Sequence, residues 1–248
     1  MDDNDKALKP ETTDYQARSL ETRAKPLVPV VAETHEKLLI HATSGEYEDL
    51  RIKLFTSFPD DNLKTLLFAA TSHGSGCSTT AVGFATGLAK NFKFQVLLVD
   101  VNMRTPRFHQ LFETNKIQTI LDFSSRRANN QSKVESVGYG NLYVTTFFGD
   151  TSGPVNLFET HRFEQFLETA SVSFDYVILD GPPIPNSPES RIISSKVDGV
   201  ILVVEAGVTR RQVALRAKKE IEAAGGRLLG VVLNKRKYHI PGWVYKIL

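Results

Sequence analysis

From residue 66 onward the chain alternates short apolar runs with amphipathic stretches. The runs LLFAA (66–70), VLLVD (96–100), LYVTTFF (142–148), YVILD (176–180), VILVVE (200–205) and LLGVVLN (228–234) read as strands. Their apolar character is nearly continuous rather than alternating, which marks strands covered on both faces, as in a parallel sheet. Between them, 79–90, 157–169 and 209–224 carry helical patterning, and the last of these stops at Gly225-Gly226, a good C-terminal signal. Strand–helix alternation at this spacing predicts an α/β fold: a doubly wound, mostly parallel sheet with helices on both faces. Ligands of such sheets sit beyond the carboxyl ends of the strands, so the residues that follow each strand are where function is sought.

The pattern is absent from residues 1–40, where Pro10, Pro26 and Pro29 stand among mixed charges. They read as a flexible tail, in which 27–31 and 38–40 are short apolar segments able to dock. The expected organisation is this tail, an α/β domain over 41–235, and a basic-aromatic tail over 236–248. Among its 248 residues the chain has Lys+Arg 30 against Asp+Glu 28, a net charge of +2. That is too small to imply a nucleic-acid surface, so no nucleic-acid partner is expected. A single cysteine, Cys77, excludes an intramolecular disulfide framework and a cysteine-built zinc site. His73, His109 and His161 lack ligand-like spacing with carboxylates. The longest uncharged stretch, 65–89, is interrupted by TSHGSG at 71–76 and is not a membrane span. The start, MDDNDK, has no secretory character, and the expected location is the cytoplasm.

Three strand ends carry chemistry. TSHGSGCSTT (71–80) follows the first strand and opens a helix. A glycine- and serine-rich turn entering a helix N-terminus presents backbone N–H groups and a positive dipole end, suited to phosphate. Gly74, Ser75, Gly76, Cys77, Ser78 and Thr79 are the candidate nucleotide-binding residues. The P-loop pattern ends in Gly-Lys-Ser/Thr, whereas here Gly76-Cys77-Ser78 stand in its place; Ser78 occupies the position of the magnesium-binding hydroxyl. The second strand ends at Asp100, followed by Asn102, Arg104 and Pro106, and these lie beside the first loop if the two strands are neighbours. The fourth strand runs into Asp180, like a Walker B carboxylate that holds a magnesium-bound water. The metal set is thus Ser78, Asp100 and Asp180.

Together these motifs resemble the cytoplasmic kinase domain of the bacterial tyrosine kinases, P-loop proteins that partner polysaccharide co-polymerases in capsule and exopolysaccharide synthesis. The resemblance runs from about residue 45 to 234. It includes GEYEDLRIKL, SGCSTT, VLLVDVNMRTP, YVILDGPP and KVDGVILVVEAGVT leading to LLGVVLN. It implies ATP or ADP with Mg2+ as cofactors and an inner-membrane chain-length protein as partner. It also implies recruitment to the inner face of the membrane, and catalytic positions at Asp100, Asn102, Arg104 and Asp180.

Several departures fall on those positions. The family's phosphate-binding lysine falls on Cys77, and the signature lysine of the related partitioning-type ATPases falls on Ser72. Asn102 stands where the family has a second aspartate, and an amide cannot accept a proton near neutral pH. The Asp that follows Walker B becomes Glu189. The family's ring-forming Glu and two Arg fall on Gly45, Glu48 and Arg51, which argues against a ring through that contact. Where the family ends in a tyrosine cluster, this chain has Tyr238 and Tyr245 within KRKYHIPGWVYKIL, either acceptors or packing groups. The basic-aromatic segment around Lys235, Arg236, Lys237 and Lys246 either touches an anionic membrane surface or folds back on the domain. The expectation is a pseudokinase with weak or no ATP binding, a regulatory subunit of exopolysaccharide synthesis and export. The alternative is an active ATP-dependent tyrosine autokinase or ATPase of the same pathway.

Overall fold

The computed structural model describes residues 45–59, 61–112, 135–136, 141–146 and 154–236. Both predicted tails lie almost wholly outside them. Seven strands form one sheet: β1 (Thr65–Ala70), β2 (Val96–Asp100), β3 (Glu135–Ser136), β4 (Leu142–Thr146), β5 (Tyr176–Asp180), β6 (Gly199–Glu205) and β7 (Leu228–Asn234), in the spatial order β3-β4-β2-β5-β1-β6-β7. Six of them run parallel, and only the two-residue β3 is antiparallel, on β4. The helices are α1 (Gly45–Ser57), α2 (Cys77–Phe92), α3 (Phe108–Leu111), α4 (Pro154–Glu159), α5 (His161–Ser173), α6 (Pro188–Ser194) and α7 (Arg211–Ala223), with a 3-10 turn at Ile184–Asn186.

The continuous apolar runs have a simple cause. Successive side chains of a strand point to opposite faces, and here each face carries its own core. In β1, Leu66 and Phe68 join Phe84, Leu98 and Ile178 on one side. Leu67 and Ala69 join Leu97, Leu179, Phe158 and Phe163 on the other. β1 and β2, which flank the central strand β5, are buried at every position.

The predicted helix 157–169 is two helices, because Thr160 between them is extended (φ −74°, ψ 151°) and its hydroxyl donates to the Leu157 carbonyl at 2.6 Å. The condition placed on Asp100 also fails: β1 and β2 are not neighbours. β5 lies between them, paired with both, since the 16-residue α2 crosses over far enough to leave room for a strand. The consequence is functional. Asp100 and Asp180 become register partners on adjacent strands.

Glu48 and Arg51 of α1 are occupied within the chain. Asn91 Nδ2 donates to Glu48 Oε1 at 2.6 Å, and the Arg51 guanidinium sits 3.7 Å from the Phe92 ring centre. Both pin α1 to the end of α2.

At the opposite end of the sheet from the site, Asp198 Oδ2 accepts from the Lys64 N–H (2.9 Å), the Thr65 N–H (2.7 Å) and the Thr65 hydroxyl (2.8 Å), which ties the start of β1 to β6. Asp198→Ala removes the acceptor from three donors at once. The expected loss is about 1–3 kcal/mol, read as a lower urea midpoint with an unchanged slope.

Candidate functional site

The turn 71–76 is built by its own polar residues. Ser75 Oγ donates to the Ser72 carbonyl (2.8 Å) and lies 3.0 Å from Ser72 Oγ. Gly74 and Gly76 take φ of 83° and 85°, in the left-handed region that glycine enters without penalty. Gly76 is also the residue on which α2 starts, and no side chain caps that helix. The first N–H groups of α2 have no partner within the helix, so they are free to bind an anion. Asn234, at the end of β7, donates from Nδ2 to the Ser75 carbonyl at 2.9 Å. A Cβ on Gly76 would meet that nitrogen at 2.1 Å, so the glycine serves both the turn and the close approach of β7.

The cleft above this loop is lined by the 72–79 segment, Asn102, Arg107, Gly181, Pro183 and Lys235. Gly74, Ser75, Gly76, Cys77, Ser78 and Thr79 therefore share one concave surface, and Asn102 faces it. Asp100 and Asp180 lie beneath, each 2% exposed. Asp100 is committed to backbone: its Oδ1 accepts from Asn102 N–H (3.0 Å) and its Oδ2 from Arg107 N–H (2.8 Å) and Phe108 N–H (3.2 Å). It shapes the loop after β2. Arg104 is turned away from the cleft, with its Nε donating to Glu189 Oε1 at 2.7 Å. Glu189 is 1% exposed, so the carboxylate at that position is a structural anchor for Arg104.

Asp180 differs. Its Oδ1 is buried with no hydrogen-bond partner, a costly arrangement for a carboxylate. Burial, then the neighbouring Asp100 charge, pushes its pKa up to about 7, while the Ser78 hydroxyl, the Cys77 thiol and Arg107 pull the other way. Burial and the Asp180 charge also raise the Cys77 thiol well above its ordinary range. The dipole at the start of α2 does not win, and Cys77 is a neutral thiol rather than a reactive thiolate.

The unpaired Asp180 oxygen beside Ser78 suits a divalent cation, and the glycine cradle suits phosphate. What the donor set lacks is a cation within the loop itself, since Ser72 and Cys77 are both neutral. Among the described residues no cluster of three or more His, Cys, Asp or Glu side chains is arranged to hold a metal by itself, so a cation here would share its ligands with phosphate. Sequence reasoning missed Asn234 and the Lys235 that follows it, although their place just beyond the carboxyl end of a strand was a usable signal. Lys235 is part of this cleft rather than of the tail.

Because the folded-state pKa of Asp180 is raised, its contribution to stability is full below about pH 4 and is lost as pH rises to about 7. Asp180→Asn removes that loss. The stability of the variant relative to the natural protein is expected to climb by a few kcal/mol between pH 4 and 7 and then level off, measured by urea unfolding at each pH. A pH-independent difference would contradict the burial of an ionisable, unpaired Asp180.

Comparison with known proteins agrees with this fold. The family model for ATPase MipZ matches residues 64–207, from the start of β1 to just past β6. Tyrosine-protein kinase YwqD of Bacillus subtilis is 27% identical over 208 residues, covering 84% of this chain and 86% of that protein. Tyrosine-protein kinase CpsD of Streptococcus agalactiae is 30% identical over 185 residues, covering 74% and 80%. The crystal structure of the chimerical protein CapA2B2 superposes with a TM-score of 0.74 at 24% identity, covering 86% of this chain and 96% of that one, and so shares the fold. A family model spanning more than half of the chain, and kinase relatives matched over most of their length, show that this chain belongs to the ATPase MipZ family of P-loop proteins and is a member of the bacterial tyrosine-protein kinases.

Proposed function

We propose that this chain is a kinase-like regulatory subunit of exopolysaccharide or capsule synthesis and export, with weak nucleotide binding and negligible phosphoryl transfer. The observation that carries the reading is that a buried cysteine, Cys77, stands at the first turn of α2, with its thiol pushed up by burial, where the kinase family has a lysine. A charge-assisted contact to phosphate contributes on the order of 1.5–3 kcal/mol, so its loss weakens nucleotide affinity roughly ten- to a hundredfold. The loss in rate is larger, because charge stabilisation is the main catalytic device in phosphoryl transfer.

Within that reading, the N–H groups at the start of α2 hold phosphate, and Ser78 and Asp180 hold Mg2+, with Asp100 fixing the loop beside them. When bound, Mg2+ supplies positive charge to the phosphate oxygens. Asn102 faces the cleft and can orient an attacking hydroxyl by hydrogen bonding, but it cannot take the proton. The regulatory role then rests on docking to an inner-membrane polysaccharide co-polymerase at the cytoplasmic face, with 27–40 and the basic-aromatic 236–248 as the docking segments. Among the described residues no helix is long and apolar enough to cross a membrane.

The active-autokinase reading draws on one observation, that Arg107 lines the cleft and brings a guanidinium to the phosphate side. A partitioning-type ATPase draws on the MipZ match, with Ser72 and Cys77 against it. Incubation of the purified full chain with Mg-ATP and quantification of phosphotyrosine separates these. The expected signal is no higher than that of Asp180→Ala. Robust ATP-dependent tyrosine phosphorylation that disappears in Asp180→Ala would overturn the pseudokinase reading.

A further inference from the structure

The loop has lost its lysine, but the cleft has not lost its cations. Lys235 lines it from the end of β7 and Arg107 from the segment after β2. Their positions are not equivalent. Arg107 is exposed and stands on the Asp180 side of the cleft, where its charge partly offsets that carboxylate. Lys235 stands on the other rim, beside the loop itself.

Four hydrogen bonds, three through Asn234 and one its own, hold it there. Asn234 donates to the Ser75 and Gly76 carbonyls (2.9 and 3.5 Å), while the Asn234 carbonyl accepts from the Ala206 N–H at 2.9 Å. Lys235 itself adopts φ 56°, a left-handed conformation that a side-chain-bearing residue enters at a cost. Its Nζ donates to Glu205 Oε1 at 3.1 Å. Glu205 is mostly covered, so it fixes the ammonium on the rim rather than letting it swing into solvent. An ammonium carries three donors and Glu205 takes one. Lys235 lines a cleft whose floor is the uncapped start of α2, with the unpaired Asp180 oxygen buried beneath it.

We propose that Lys235, held by Glu205 and backed by Arg107, supplies part of the phosphate-binding charge that the loop lacks, so that the cleft takes a nucleoside di- or triphosphate as a weakly bound ligand without turning it over. The inference rests on the reading of this cleft as a nucleotide pocket and assigns its ligand contact. Lys235 acts on the ground state of the bound phosphate. Its place at the cleft rim, outside the first turn of α2, is consistent with binding that survives the loss of catalysis.

The test is calorimetry of Mg-ADP and of adenosine on the full chain, for the natural protein, Lys235→Gln and Lys235→Arg. Lys235 is half-exposed and outside both cores, so the variants keep the fold, which far-UV circular dichroism and the urea midpoint verify. The expected result is a measurable Mg-ADP affinity in the natural chain, a loss of about tenfold or more in Lys235→Gln, and recovery to within about threefold in Lys235→Arg. Adenosine, without phosphate, binds all three alike. Equal Mg-ADP affinity in Lys235→Gln and the natural chain would overturn the proposal. So would the absence of Mg-ADP binding by the natural chain at millimolar concentration, although that leaves the pseudokinase reading standing. Tyrosine phosphorylation by the natural chain has the converse effect, removing that reading while leaving the Lys235 contact to be judged by the affinities.

Discussion

Two carboxylates brought side by side in a dry sheet are the constraint on which this site turns. Asp100 and Asp180 are register partners on β2 and β5, and adjacent strands lie only about 4.8 Å apart. Like charges that close in a water-poor interior cannot both persist without compensation. The structure divides the problem: three backbone N–H groups satisfy Asp100, whereas Asp180 keeps an unpaired oxygen and a raised pKa. One carboxylate thereby shapes the loop after β2. The other is left poised for a cation under the first turn of α2.

In a working P-loop site the charge of bound phosphate is balanced by a lysine in the loop and a divalent cation on the strand-end carboxylates. On the reading proposed above, the cation side of that balance is kept by Ser78 and Asp180, while the lysine side falls on Cys77, whose thiol burial pushes well above its ordinary range. The glycine turn persists because its demands are backbone demands. Left-handed φ at Gly74 and Gly76 and the close approach of Asn234 hold whether or not chemistry follows. A fold can keep a cradle after losing the charge that made the cradle catalytic.

Much of this was legible in the amino-acid order. Apolar runs at 66–70, 96–100, 176–180 and 200–205 are strands within a residue of the reading, because a strand buried on both faces has no polar position to blur its ends. The glycine loop, Ser78 and Asp180 were legible as candidates, since phosphate and magnesium restrict the residue types that can hold them, and the structure puts the loop and Ser78 on one cleft with Asp180 buried beneath it. Strand order was not. Nothing local in 71–95 says that α2 will step over a strand, so the condition that β1 and β2 be neighbours fails on β5, although Asn102 still lines the cleft with the loop. The break at Thr160 was hidden by apolar residues on both sides of it. Arg104 shows a subtler limit: its partner Glu189 is 85 positions away, and only the tertiary fold reveals that its guanidinium is already engaged. Lys235 was hidden by company, since neighbouring basic and aromatic residues made it look like the start of a tail.

The account stands or falls on whether the missing loop charge limits nucleotide binding. The most direct measurement is Mg-ATP affinity by calorimetry for the natural chain and for Cys77→Lys. The account predicts that restoring an ammonium at the first turn of α2 tightens binding by about tenfold or more, with the fold unchanged. Equal affinity in the two proteins would contradict it, because the cleft would then bind nucleotide as well without the loop cation as with it.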